Sequence, residues 1–183
     1  MTALLSLETP RLRLRRYTAE DAGNVHSLLG NPHVMRYFPR TYSRDEAESS
    51  VSRIRSSYET TGYSVMAVEL KSDGTFAGQA GLLHWDDVDG REDVEVAYML
   101  RPQFWGCGYA IEAARACRDW AFENLGVDRV VSFVAVDNAP SIAVALRNGM
   151  HLVHRLDKNR FGFPINVYAI ERGEWAVTAA GRS

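Results

Sequence analysis

The order of hydrophobic and polar residues in the first third of the chain predicts one strand followed by two helices. Leu12 and Leu14 alternate with arginines, which is the period-two pattern of a strand with one buried face, and we expect an opening edge strand. Residues 18–29 carry apolar side chains at helical spacing and end at a Gly-Asn-Pro turn. Ser43 and Glu46 have the spacing of a capping box, so a second, more polar helix should begin there and reach about Glu59.

A hairpin and a third strand follow these helices. Two runs rich in β-branched and aromatic residues, 63–70 and 76–85, flank a turn that contains Gly74. The next strand runs to Leu100, and its alternate residues face opposite sides of the sheet. One side holds Val94, Val96, Tyr98 and Leu100, and the other side holds Glu95, Ala97 and Met99. A carboxylate therefore interrupts an otherwise apolar face.

The second half of the chain predicts a helix between two parallel strands. This helix presents small residues on one face, at positions 110, 113, 114, 117 and 121, and we expect Arg115, Arg118 and Asp119 to lie elsewhere. Residues 130–136 form a nearly continuous apolar run, as in a strand covered on both faces, which favours a parallel crossover. The remaining segments are a short helix, 141–147, and a closing hairpin of 153–156 with 166–170. The order of the elements predicts a mixed α/β fold.

Length and composition indicate one domain. The 183 residues suit a single core, expected over residues 7–175, with residues 176–183 as a frayed tail. The 21 basic and 23 acidic residues nearly balance, so we expect no global field that recruits nucleic acid or an anionic membrane. The first ten residues lack the pattern of a signal peptide, and no apolar run approaches the ~20 residues of a membrane span. These features predict a cytoplasmic protein.

The cysteines and histidines predict no metal site. Cys107 and Cys117 lie ten residues apart without a CxxC pair, which is typical of a reduced compartment. The histidines, at positions 26, 33, 84, 151 and 154, have no ligand spacing. We expect His84 and Trp85 to border a substrate pocket instead.

A glycine-containing loop lies between Leu100 and a helix that begins near Tyr109. Glycines at positions 106 and 108 allow a tight turn that brings backbone N–H groups and a helix N-terminus against an anion such as a pyrophosphate. An ordinary strand-to-helix turn fits the same pattern. A dinucleotide site fits poorly, because Ile111 replaces the third small residue of GxGxxG, and no GK[ST] follows as a P-loop requires.

Several motifs in a fixed order resemble one protein family. Gln103-x-x-Gly106-x-Gly108 followed by Tyr109-Ala110 resembles the coenzyme A pyrophosphate signature of the GNAT acetyltransferase superfamily. Residues 9–15 resemble the opening strand of the branch that includes ribosomal-protein N-terminal acetyltransferases. Further similar segments are 95–100, 137–141 and 148–150, so the resemblance runs from about residue 7 to residue 175.

The resemblance implies a fold and a donor. The fold is a mostly antiparallel, twisted sheet with a central splayed pair of parallel strands and flanking helices, and the co-substrate is acetyl-coenzyme A, with no metal. The strands 93–100 and 130–136 would part to admit the pantetheine arm. Arg101 would reach a phosphate or remain a solvated loop arginine. The implied cofactor-binding residues are Met99, Leu100, Arg101, Gln103, Trp105, Gly106, Cys107, Gly108, Tyr109, Ala110, Asn138 and Ser141.

Two of the matching residues have side chains that suit the chemistry. Glu95 is the candidate general base, with a structural or substrate-orienting role as the alternative. The resemblance implies that the Ser141 hydroxyl lies near the cofactor sulfur, which makes it the candidate general acid for the departing thiolate. Many members of the superfamily use a tyrosine on this helix instead, and residues 142–147 contain none, which favours Ser141. Helix capping is its alternative role. A covalent route through Cys107 is disfavoured, because the other residues support direct transfer.

The resulting hypothesis is an N-acetyltransferase that moves an acetyl group from acetyl-coenzyme A to a primary amine by direct attack in a ternary complex. The acceptor is a protein N-terminus or a small molecule, and the sequence is compatible with a homodimer. Residues 31–42 and 84–91 are expected to shape the acceptor pocket. The alternatives are an acyl-coenzyme A sensor without catalysis and, less favoured, a nicotinamide-binding oxidoreductase.

Overall fold

A computed structural model describes residues 6–88 and 90–180. The chain forms an eight-stranded sheet in the order β1-β2-β3-β4-β5-β6-β8-β7. The strands are β1 (Ser6–Glu8), β2 (Leu12–Arg15), β3 (Val65–Leu70), β4 (Phe76–Trp85), β5 (Asp93–Leu100), β6 (Arg129–Ala135), β7 (His151–Leu156) and β8 (Ile165–Glu171). The helices are α1 (Ala22–Leu29), α2 (Arg44–Thr60), α3 (Tyr109–Asn124), α4 (Ala139–Arg147) and α5 (Arg172–Ala180).

The sheet is mixed, as the sequence predicts. Neighbouring strands pair antiparallel throughout, except that β5 and β6 run parallel and are joined through α3. The capping box predicted for α2 is present, since the Ser43 hydroxyl accepts the N–H of Glu46 and the Glu46 carboxylate accepts the N–H of Ser43. Local chemistry therefore sets where this helix begins.

Helices cover both faces of the sheet, and strand alternation divides the core between them. In β3, Met66 and Val68 pack in the cluster that holds the small residues of α3, whereas Val65 and Ala67 pack in the cluster formed by α1 and α2. Ala113, one of the small residues, is fully buried, because a helix with small side chains can approach the sheet closely. The faces are thus an α3/α4 side and an α1/α2 side.

The parallel strands β5 and β6 pair through their backbones near their first residues. Within the described residues, their backbone pairing has one register position, Glu95 opposite Val131. Before it, the buried side chains of Asp93 and Arg129 form two hydrogen bonds of 2.7 and 2.6 Å. After it, the hydroxyl of Ser132 donates to the Val96 carbonyl at 2.8 Å. Beyond that point the strands part, which agrees with the splayed pair expected from the resemblance.

Three features differ from the sequence interpretation or extend it. The strand 12–15 is not an edge strand, because β1 pairs with its outer side. Nothing in the sequence indicated β1, because a strand of three residues is too short to show an alternating pattern. Arg118 is buried, since its guanidinium donates to the Asn148 carbonyl and pairs with Asp119. Helix α5 was not predicted. The expected frayed tail begins inside it, and residues 181–183 lie outside the described residues.

Replacing Arg129 by methionine should lower the free energy of unfolding by about 3–5 kcal/mol, because the buried Asp93 carboxylate would lose both hydrogen bonds from Arg129 and keep the longer, 3.7 Å contact with the exposed Arg91. Arg155→Met is the matched control, since the Arg155–Asp157 pair is exposed and should be worth about 1 kcal/mol or less. Urea unfolding of both variants measures the difference. Equal losses would contradict the importance given to the buried pair.

Candidate active site

A cavity of about 750 Å³ occupies the gap between β5 and β6. Residues of both strands line it, together with the start of α3, α4, and parts of the two segments that precede α2 and β8. Glu95 faces the α1/α2 side of the sheet, whereas Tyr98 lies on the opposite face and packs against the α3/α4 core. The cavity therefore reaches both faces of the sheet.

The glycine loop forms one end of this cavity. Gly106 and Gly108 have φ values of +74° and +78°, a region that favours glycine. The first N–H groups of α3 have no acceptor within the helix, and Gly108, its N-cap, has no side chain that could accept from them. These donors and the helix dipole fit a pyrophosphate without requiring a side-chain charge. The loop thus meets the physical requirements of the cofactor group that the resemblance implies.

Most of the predicted cofactor residues line the cavity. They are Met99, Leu100, Trp105, Gly106, Gly108, Tyr109, Ala110, Asn138 and Ser141. Arg101 does not, because its guanidinium donates to the Phe76 carbonyl at 3.3 Å. Gln103 and the exposed Cys107 also lie outside the lining. Nine of the predicted residues therefore face the cavity, whereas Arg101, Gln103 and Cys107 lie in the same loop without lining it.

The loop is held in place from two sides. The indole N–H of Trp105 donates to the Leu100 carbonyl at 2.7 Å, which joins the loop to the end of β5. Arg11 donates to the Cys107 carbonyl at 3.0 Å, lies 4.5 Å from the centre of the Tyr109 ring, and pairs with Glu112 at 2.6 Å. The turn between β1 and β2 therefore supports the loop from outside.

Glu95 is a buried carboxylate at the point where the strands part. Its Oε2 accepts the indole N–H of Trp85 at 2.7 Å, and its Oε1 accepts the backbone N–H of Phe133 at 3.4 Å. Burial raises the pKa of Glu95 to about 7, and the two hydrogen bonds partly oppose that rise. Near neutral pH this group can therefore both accept and release a proton.

Ser141 and Tyr98 form a hydroxyl pair on the other face of the sheet. The Tyr98 hydroxyl lies 3.0 Å from Ser141 Oγ and 3.0 Å from the Ser141 carbonyl. Burial raises the pKa of Tyr98 to about 12, so the phenol keeps its proton. Asn138, not Ser141, caps α4, because its side chain accepts the N–H of Ser141 at 3.2 Å.

Sequence reasoning missed Tyr98 as a site residue and assigned it only to a strand face. One signal was available, since a tyrosine on an otherwise aliphatic face has a hydroxyl that requires a partner when buried. The partner is 43 positions away in the chain, beyond the reach of any local pattern.

Aromatic rings surround the side of the cavity next to Glu95. Trp85 was predicted there and lines the cavity, whereas His84 does not line it and instead approaches Asp86 at 2.9 Å. Four phenylalanines extend the ring contacts that start at Trp85; they are Phe38, Phe133, Phe161 and Phe163. We name Trp85 and these four the aromatic wall.

Two further features of the described residues concern metal binding and membranes. Across residues 6–88 and 90–180, no group of three or more His, Cys, Asp and Glu side chains could hold a metal ion. None of the helices described combines the length and apolar character required to cross a bilayer.

Comparison with known proteins agrees with the fold and the loop. Residues 11–151 match the family described as "Acetyltransferase (GNAT) domain". The uncharacterized protein YkkB of Bacillus subtilis (strain 168) is 32% identical over 92% of this chain and 96% of its own. The FsC-acetyl coenzyme A-N(2)-transacetylase of Aspergillus fumigatus is 33% identical over 93% of this chain and 77% of its own.

A solved structure extends the agreement to three dimensions. The acetyltransferase from Agrobacterium tumefaciens superposes with a TM-score of 0.78 at 28% identity, covering 93% of this chain and 96% of that one. The family match spans more than half of the residues, including β2 to α4 and the glycine loop. The chain belongs to the GNAT family of acetyltransferases.

Proposed function

We propose that this N-acetyltransferase transfers the acetyl group of acetyl-coenzyme A to a primary amine by direct attack in a ternary complex. One observation carries the proposal. A single cavity joins the glycine loop, the buried Glu95 carboxylate and the Ser141–Tyr98 hydroxyl pair. A base and a proton donor on opposite sides of a gap are what thioester aminolysis requires.

The glycine loop would hold the donor's pyrophosphate through backbone N–H groups of residues 105–110, and Met99 and Leu100, which lie beyond the point where β5 pairs with β6, would border its pantetheine arm. When bound, acetyl-coenzyme A supplies an activated thioester: the amine nitrogen bonds to the acetyl carbon, the carbon–sulfur bond breaks, and the thiol is released. Backbone N–H groups near Met99 are the candidates to stabilise charge on the carbonyl oxygen.

Glu95 would remove the proton that the amine must lose, directly or through water. A carboxyl group with a pKa of about 7 is a stronger base than an ordinary carboxylate and is substantially ionised at neutral pH. The N–H groups of Trp85 and Phe133 hold the carboxylate in a fixed orientation. The alternative role, orienting the amine, requires the charge but not the proton transfer.

Ser141 would return a proton to the departing sulfur. The single phenolic proton of Tyr98 has two acceptors within reach, the Ser141 carbonyl and Ser141 Oγ. When that proton is donated to Oγ, the serine proton can point into the cavity. The raised pKa of Tyr98 keeps it a donor throughout the working pH range. A sensor of acyl-coenzyme A would leave this pair and the buried carboxylate without a use, and family membership removes the nicotinamide hypothesis.

Glu95→Gln should lower turnover by about a hundredfold, because an amide cannot take up the proton. In the unmodified protein, turnover should rise with pH through about 7 as the carboxyl group ionises, and this rise should be absent from the variant. Thiol release across the pH range measures both. Unchanged turnover and an unchanged profile would remove Glu95 from this role, and calorimetry with acetyl-coenzyme A controls for intact donor binding.

Ser141→Ala and Tyr98→Phe should each lower turnover by about tenfold to a hundredfold, with little change in the KM for acetyl-coenzyme A. Because the two hydroxyls act as one unit, the double variant should be little worse than either single variant. Steady-state kinetics of the three variants test this. Multiplicative losses would show that the hydroxyls act independently.

Gly108→Val should weaken acetyl-coenzyme A binding by about tenfold to a hundredfold, because a β-branched residue is strained at a φ of +78°. Cys107→Ser is the matched control in the same loop, since its side chain is exposed and outside the cavity lining. Calorimetric titration compares the two. Equal affinities would contradict the assignment of the loop to the donor.

A further inference from the structure

We infer that the acceptor is a small primary amine whose carbon chain carries an aromatic ring, such as an arylalkylamine. The inference rests on the proposed function and concerns only the acceptor side of the same cavity. It depends on the aromatic wall, on the charges of the lining side chains, and on the distance between the wall and Glu95.

The aromatic wall is continuous. Ring centroids lie 6.3 Å apart for Trp85 and Phe133, 5.3 Å for Trp85 and Phe161, and 6.3 Å for Phe161 and Phe163. Phe163 in turn lies 6.2 Å from Phe38, edge to face. These distances are typical of aromatic pairs, and each ring also lines the cavity. The wall therefore offers exposed ring surface to whatever enters.

The aromatic wall starts directly beside Glu95, the proposed base. The indole N–H of Trp85 is hydrogen-bonded to the Glu95 carboxylate at 2.7 Å, and Phe133 supplies the other N–H that this carboxylate accepts. The carbon substituent of an amine that shares a proton with Glu95 can therefore lie along these rings. A flat, apolar substituent gains most from that position, because it buries its own surface and forms ring contacts.

The charges of the cavity oppose a polyamine. Within the described part of the chain, Glu95 is the one carboxylate among the lining residues, and its partners there are uncharged. Arg36 and Arg147 also line the cavity, but Arg36 belongs to the glycine-loop end, where it lies over the Trp105 ring at 5.3 Å. Outside it, Arg160 lies over Trp85 at 5.1 Å. Beside the aromatic wall, a second ammonium group would therefore meet Arg160 without a second carboxylate among the lining residues described.

The wall also disfavours a peptide N-terminus. In a peptide, the first C=O and N–H follow the terminal amine within a few bonds, so they would lie against rings. An unpaired peptide group costs about 1–3 kcal/mol when it leaves water. A methylene chain with a ring at its end avoids this cost and leaves the amine free to reach Glu95.

The test compares four acceptors with the same enzyme and acetyl-coenzyme A: 2-phenylethylamine, ethylamine, spermidine and an octapeptide with a free Ala N-terminus. Thiol release gives kcat/KM, and mass spectrometry identifies the product. We expect 2-phenylethylamine to exceed each of the others by at least tenfold. Equal values, or preference for spermidine or the peptide, would overturn the inference while leaving the proposed transfer intact.

Phe161→Ala separates the wall from the catalytic groups. Its side chain is half-buried in the segment before β8, and it makes no hydrogen bond to Glu95. We expect a rise of about tenfold in the KM for 2-phenylethylamine, a clearly smaller loss of kcat/KM for ethylamine, and partial recovery in Phe161→Leu. Equal losses for both amines would overturn the inference. If the protein binds acetyl-coenzyme A but releases no coenzyme A thiol with any of the four acceptors, the proposed function would be contradicted, and the inference with it.

Discussion

The buried ion pair between Asp93 and Arg129 determines where β5 and β6 meet, and therefore where they part. It closes the strands at their first residues, and Glu95 follows two positions later at the single register pair. The Ser132 hydroxyl then bridges to Val96, and the Phe133 N–H reaches the Glu95 carboxylate, before the gap opens. A buried ion pair is a weak source of net stability, because desolvation offsets much of its attraction. What it provides here is position, since the base and the cavity are both located relative to it.

The gap also brings together side chains from the two faces of β5. Residues 95 and 98 in β5 are separated by an odd number of positions, so their side chains face opposite sides of the sheet. Glu95 thus belongs to the face covered by α1 and α2, and Tyr98 to the face covered by α3 and α4. In a closed sheet these groups would not share a space. The parted strands bring a proton acceptor and a proton donor to one cavity.

Features encoded by short-range patterns could be predicted from the sequence, whereas features formed by distant contacts could not. The start of α2 follows from Ser43 and Glu46, and the orientation of Glu95 follows from strand alternation. The Tyr98–Ser141 pair and the burial of Arg118 depend on contacts across 43 and 30 positions, which no periodicity reports. Phe161 lies in an irregular segment whose composition predicts no element, so its place in the aromatic wall required the structure.

The two indoles of the cavity give the protein a pair of internal optical reporters. Of its four tryptophans, Trp105 lies at the glycine loop and Trp85 lies against the carboxylate at the other end of the cavity. Trp120 and Trp175 lie elsewhere, in α3 and α5. In single-tryptophan versions, emission from position 105 would follow the arrival of one substrate and emission from position 85 that of the other. The order in which the two substrates bind is thus accessible to stopped-flow fluorescence without any added dye.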